Sequence, residues 1–302
     1  MNKEPGFYDV KTTDLCFRSS PDFLLRGFFH DQHDYDKHYQ EFTEIVFILG
    51  GTSDHYTPPS GKEPIMRGNI LIIPAGGIHG FFATKDLKIF NLLFVANRLP
   101  LPILELYTHP GYRYLFMHPT SFYEFEGHYP RMTVSAEKIQ LLEFYLKQFA
   151  EFGRTREKSG QHCGTLGIFM AILCLLCDEW QKIHPTRQSE IPLDIARIIK
   201  YMNDHLGENI TLKDLTQLTA MSENTLFRHF RKAFGQTPIQ YLQELRLANA
   251  AARLLETTMR VNEISEACGF NTTAYFIKIF KRIYKMTPEQ FRHSPDKIMA
   301  PH

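Results

Sequence analysis

From the N-terminus the chain alternates short apolar runs with turn-forming residues. Leu24–Phe29, Glu44–Leu49, Asn69–Ile73 and Lys88–Val95 are such runs, separated by Gly, Pro, Asp and Asn. Short strands at this spacing predict an antiparallel sandwich or barrel. The stretch 100–132, rich in Pro, Tyr and His, fits neither a strand nor a helix period. After it the period becomes helical. Ile139, Leu142, Tyr145, Leu146 and Phe149 share one face behind a Ser135 cap, and a second helix is expected over 165–183. The apolar centre of that helix, Leu166 to Cys177, has 12 residues, short of the ~18 that span a bilayer. It reads as a buried or partner-facing helix and no membrane is expected. Joined by the charged segment 153–160, the two helices should lie antiparallel. The second is apolar nearly all round and needs more cover than one neighbour gives, which points to a homodimer.

Beyond the polar, proline-bearing run 185–192 only helices are predicted, over 193–206, 212–219, 223–234, 238–256, 261–268, 272–284 and 288–293. Thr211 to Asp214 reads as a capping box, Ser222 as an N-cap and Gly235 as a helix stop. Leu215, Leu218, Leu226 and Phe230 form the apolar set of one helix-turn-helix unit, and Ile264, Ala267, Phe270, Phe276 and Phe280 that of a second. Such a unit can lay its second helix in a major groove, and a rigid joining helix would offer two of them to neighbouring groove segments. The expected fold class is multi-domain α and β. It comprises a barrel over 1–132, a helical hairpin over 133–184, a linker over 185–192, an all-α domain over 193–293 and a tail over 294–302.

Charge changes the picture only locally. The 302 residues carry a net charge of +1, but 191–302 hold 15 basic and 11 acidic side chains against 19 and 22 in 1–190. The total gives no reason to expect a polyanion partner; the C-terminal third permits nucleic acid. Five cysteines at irregular spacing fit a reducing compartment, and Met1 to Pro5 lack a basic-then-apolar leader, so a cytoplasmic location is expected. Cys174 and Cys177 have redox-like spacing but lie in the apolar helix and read as core.

The C-terminal third resembles the AraC family of transcription regulators. The likeness rests on Ser222-x3-Leu226-x-Arg228-x-Phe230-x3-Phe234-Gly235-x2-Pro238-x2-Tyr241-x4-Arg246-Leu247-x2-Ala250. It continues in Ile264-x4-Gly269-Phe270-x4-Tyr275-Phe276-x3-Phe280-Lys281-x5-Thr287-Pro288-x2-Phe291-Arg292. Lys285-Met286 and Arg260 depart from the pattern, away from the recognition positions. The resemblance implies double-stranded operator DNA as partner and RNA polymerase as a candidate one. It places Asn224, Phe227 and Arg228, and Thr273, Ala274, Ile277 and Lys278, toward bases. Arg and Asn suit guanine and adenine edges, and Phe, Ala and Ile suit only thymine methyls. Arg231, Lys232, Lys281 and Arg282, a turn further on, suit phosphates. Tyr275, Phe276 and Phe280 read as core.

The N-terminal part resembles the cupin barrel that commonly precedes this domain. His38-x-Gln40-x3-Glu44-x6-Gly51 is similar to the first cupin motif with Gln40 in place of the second His, and Gly68-x5-Pro74-x-Gly76-x2-His79 to the second. His38, Glu44 and His79 could hold a divalent transition metal, to which Gln40 would add a weak ligand; alternatively they only hydrogen-bond within a pocket or to an effector. No other cofactor and no enzyme activity are expected. His38, Tyr39, Gln40, Glu44, Arg67 and His79 are the candidate effector contacts, with Asp54, His55 and Tyr56 beside them, and His30 and His33 read as solvated loop residues. The function expected is a sequence-specific regulator, filed with activators, controlled by a small-molecule effector, with carbohydrate the first candidate class. Two rivals remain: a cupin-type metal-dependent enzyme with an accessory helical domain, and a constitutive DNA-binding protein whose barrel only dimerises.

Overall fold

A computed structural model describes residues 9–11, 16–17, 23–58, 60–96, 99–101, 103–117, 128–154, 161–184, 191–284 and 286–293. The run 185–190, residue 285 and the tail from 294 lie outside the described residues.

The N-terminal part is one eight-stranded sheet: β1 (Asp9–Lys11), β2 (Leu25–Gln32), β3 (Tyr35–Gln40), β4 (Thr43–Thr57), β5 (Gly61–Met66), β6 (Asn69–Ile73), β7 (Ile78–Phe94) and β8 (Arg131–Thr133). All pairings are antiparallel except the short β1–β3 pair. Two long strands organise it. β4 pairs with β6 through Glu44–Phe47 and with β5 through Thr52–Thr57, while β7 pairs with β2, β3 and β4. These strands run further than their apolar runs suggest because Gly50-Gly51 lets β4 bend without ending. Gly51 has φ +72°, and a Cβ there would meet the Asp86 carbonyl oxygen at 2.2 Å, so only glycine fits.

Two helices follow, α3 (Ala136–Arg154) and α4 (Gln161–Ile183), packed on each other, with α3 also against β2. Residues 162–183 are long and apolar enough to cross a membrane by length and composition alone, which corrects the 12-residue reading. Phe169, Ile172, Leu173, Leu176 and Trp180 are nonetheless buried inside the fold, as in a core helix. Cys177 is buried as expected; Cys174 is exposed.

The C-terminal helices are α5 (Leu193–Asp204), α6 (Leu212–Thr219), α7 (Glu223–Phe234), α8 (Pro238–Glu256), α9 (Val261–Ala267), α10 (Thr273–Tyr284) and α11 (Pro288–His293). Local chemistry sets their ends. Thr211 and Asp214 form a reciprocal capping box at α6, the Ser222 hydroxyl accepts from the Thr225 amide, and Gly235 closes α7. At α9 the Arg260 backbone N–H donates to the Glu263 carboxylate at 2.7 Å, half of a capping box that needs no hydroxyl. Met286 is buried in the second unit's core, so a side chain of this bulk serves there.

The chain forms two compact units. Among the described residues, one holds 9–101 and 114–184; the other holds 191–293 together with 103–113. The latter segment, α1 (Ile103–Thr108) and the single turn α2 (Pro110–Tyr112), lies in sequence inside the expected 1–132 barrel but groups with the C-terminal helices.

Candidate functional site

The sheet lines a partly open cavity of about 310 Å³. Strand alternation builds its wall, since every second side chain faces one side. β2 contributes Arg26, Phe28, His30 and Gln32; β3 contributes His38 and Gln40; Phe42 and Glu44 follow, and β7 adds His79, Phe81, Asn91 and Leu93. His30, expected in a solvated loop, is therefore an exposed strand residue on the cavity wall. A polar residue at each even position but 28 was the signal available for it. His33 is exposed between β2 and β3.

At the base, His38, Glu44 and His79 are buried, with ligand-capable atoms all within 4.8 Å of one another. His79 Nδ1 lies 3.1 Å from His55 Nε2, and its Nε2 lies 3.1 Å from a Glu44 oxygen. That second approach is an ion-pair contact, and His79 Nε2 makes no hydrogen bond among the described residues. Gln40 Nε2 and Asn91 Oδ1 are likewise buried and unpartnered. Burial, then the neighbouring imidazoles of His79 and His38, hold the His55 pKa well below the ordinary histidine value, so His55 stays neutral.

Of the expected effector contacts, His38, Gln40, Glu44 and His79 meet in the cavity and two do not. Tyr39 alternates to the other face and is buried there. Arg67 lies at the β5–β6 turn, where it pairs with Glu143 at 2.6 Å. His55 sits behind His79, and Tyr56 carries the Lys37 ammonium over its ring at 4.1 Å.

In the all-α unit, Asn224, Arg228, Arg231 and Lys232 are exposed on α7 and Phe227 is half-buried. On α10, Ala274, Lys278, Lys281 and Arg282 are exposed and Thr273 is half-buried. Ile277 is half-buried against the second core and less available to a base than expected. Tyr275, expected in the core, is 45% exposed, its hydroxyl accepting from Gln243 Nε2 at 2.8 Å. The core instead takes Phe276, Ile279 and Phe280. Cationic tips on the second helix of each of two units, with α8 joining them, make a surface shaped for duplex DNA.

A chain with this surface and a separate sheet-lined cavity is a DNA-binding transcription regulator with a sensor domain. Residues 215–294 match the family model described as a helix-turn-helix domain. Over 267 residues the chain is 26% identical to the HTH-type transcriptional activator RhaR of Mannheimia succiniciproducens, covering 87% of this chain and 89% of that protein. It carries an AraC-type helix-turn-helix domain and is a homologue of RhaR-type regulators of the AraC family. Among solved structures, the C-terminal domain of the response regulator yesN from Fusobacterium nucleatum is 33% identical; the match covers 32% of this chain and 94% of that one, with a TM-score of 0.31. ToxT from Vibrio cholerae is 9% identical, the match covering 92% of this chain and 100% of that one, with a TM-score of 0.45.

Proposed function

We propose that the cavity binds a small polyhydroxylated effector, carbohydrate first, and that its occupancy controls operator binding by an activator. The observation that carries this is a set of buried polar atoms without a hydrogen-bond partner among the described residues, on Gln40, His79 and Asn91, around one cavity. A buried unpaired polar group costs ~1–3 kcal/mol, which an occupant recovers by pairing with it. A hydroxyl both donates and accepts, so a polyol suits amide, imidazole and carboxylate together. Phe28, Phe42 and Phe81 supply apolar faces beside them. The test is thermal denaturation with a panel of monosaccharides and sugar acids, with aromatic acids as counter-probes. A saturating ligand at 100 times its Kd stabilises by ~2.7 kcal/mol. Stabilisation by an aromatic acid with none from any sugar would overturn the reading.

On DNA, Asn224 and Arg228, with Thr273, Ala274 and Lys278, are assigned to bases, and Arg231, Lys232, Lys281 and Arg282 to phosphates. The RhaR relative is named an activator, which supports the same sign here and RNA polymerase as a further partner. A role on genomic DNA supports a cytoplasmic location. The homodimer reading moves to a different face. Leu173 and Leu176 are fully buried within the protomer, so substituting them would test folding. Leu141, Phe144 and Phe152 are 39%, 57% and 41% exposed and fall on one face of α3, where a second copy would cover them. Phe144→Glu should yield monomers in sedimentation; a wild type already monomeric at micromolar concentration would remove the dimer.

A second reading, a divalent transition metal on His38, Glu44 and His79, is favoured by their mutual distances and by the unpartnered His79 Nε2. His55 would fix the other His79 nitrogen, as an outer partner of a metal-bound imidazole does. Elemental analysis of the purified protein and a melting shift with zinc or manganese test it; neither metal content nor shift would discard it.

A further inference from the structure

The segment 103–113 begins nine residues after the end of the last strand of the sensor that walls the cavity. β7 contributes Asn91 and Leu93 to that wall and ends at Phe94. From Ile103 the chain forms α1, which lies along α5, the first helix of the DNA-binding unit. This is no loose excursion. Leu106, Tyr112 and Arg113 are buried, as are Pro110 and Gly111. The Arg113 guanidinium donates to the carbonyl oxygens of Thr108 at 2.7 Å and Tyr107 at 3.2 Å, satisfying acceptors left open at the end of α1. His109 Nδ1 accepts from the Gly111 amide at 3.1 Å and caps the next turn.

On the receiving side is α5. Burial, then the Asp204 carboxylate at the end of α5, push the Tyr107 pKa up to about 12. Tyr241 of α8 is buried with an unpartnered hydroxyl, within electrostatic reach of both Tyr107 and Arg113. Tyr241 also meets Phe234 at a tilt and Phe230 edge-on, at 4.7 and 5.8 Å between ring centres. The surface that receives the segment is thus one layer behind α7, the helix assigned to the groove.

We infer that α5 carries a docking surface whose occupant is the chain's own residues 103–113, a strap that ties the sensor strand β7 to the first helix-turn-helix unit. The polar run 184–192 is then one of several covalent ties between the domains. Among the described residues the strap is a tie that packs on the DNA-binding helices. Its docking stands or falls without any effector. Its use as the route from an occupied cavity to DNA rests on the pocket reading and would fail separately.

The test uses the full chain with a specific protease site placed within 186–190 and cut under native conditions. The C-terminal fragment should co-elute with the N-terminal one in gel filtration at micromolar concentration, and Leu106→Glu with Tyr112→Asp should release it. Separation of the wild-type fragments, or co-elution that survives the double substitution, would overturn the strap. Should that variant misfold, Arg113→Ala in the uncut chain gives a second reading. Amide exchange in 195–204 should rise by about tenfold while β4 and β7 stay unchanged; equal rates in 195–204 would also overturn it.

Discussion

In the first helix-turn-helix unit, Leu215, Leu226 and Phe230 are buried, and behind them α5 is covered by α1 as well as by α6 and α7. In the second, Phe270, Phe276, Phe280, Tyr284 and Phe291 form a continuous aromatic chain with ring centres 4.4–5.4 Å apart, closed by α8, α9 and α11. One unit borrows cover from a segment about ninety residues earlier in the chain; the other is made of its own neighbourhood. The outward faces differ in the same sense. α7 presents Asn224 and Arg228, which can read base edges, whereas α10 presents Ala274 and keeps Ile277 partly in its core. The first unit therefore offers side chains suited to base edges and takes cover from residues 103–113, whereas the second is closed by its own helices.

The largest effect should come from Phe280→Ala, which removes a fully buried ring and should cost ~3–5 kcal/mol in denaturant unfolding. Exchange should then rise across α9–α11 while α5 stays protected by α1. Equal loss in both units would show a single cooperative core and break the contrast. Next, Arg228→Ala should lose ~1–3 kcal/mol of discrimination at one operator position. Ile277→Ala should instead lower stability by about 1 kcal/mol and leave base preference alone. Titrations against single-base operator variants separate the two. If Arg228→Ala only flattens the salt dependence, that side chain meets phosphate.

Smaller effects probe the caps. Ser222→Ala should cost ~1 kcal/mol because the α7 cap is a side-chain oxygen. Arg260→Ala should stay within about 0.5 kcal/mol because α9 uses only its backbone N–H; melting curves decide. The smallest expected effect is in acid. Bonds from the Thr211 hydroxyl and backbone hold the Asp214 carboxyl below its ordinary pKa of 3.8. A depressed folded-state pKa gives support that is present above the unfolded value and lost as pH falls through the folded one. Asp214→Asn should therefore flatten the first unit's acid limb below pH 3.8; identical limbs in wild type and variant would remove that support.

Legibility from sequence divides along the same line. Helices 212–219, 223–234, 238–256 and 288–293 are found at the bounds the sequence suggests, because caps and apolar periods are local signals. β4 and β7 are longer than expected, since each is held by several partners distant in sequence. The stretch 100–132 shows no period because the cover for α1 comes from α5. In the pocket, His38, Gln40, Glu44 and His79 could be found by resemblance, whereas His30 and Asn91 depend on register. Tyr275 misleads because it neighbours Phe276, and adjacent helical residues point in different directions.

Arg246, on the helix between the two units, donates from Nε to the Leu206 carbonyl oxygen at 3.0 Å and from Nη2 to that of Glu208. A Cβ on Gly269, which has φ +78°, would meet the same Leu206 oxygen at 2.5 Å and Arg246 Nη2 at 2.9 Å. The connection that leads into one unit and the turn of the other thus converge on a common side chain. With the proposed DNA contacts, the two units would act as the jaws of a gauge. One extra base pair between their contacts moves the second by roughly 3.4 Å and turns it by about a tenth of a helical turn. A gauge that does not open leaves the adjustment to the DNA, so the permitted spacing depends on how easily the intervening sequence bends and twists.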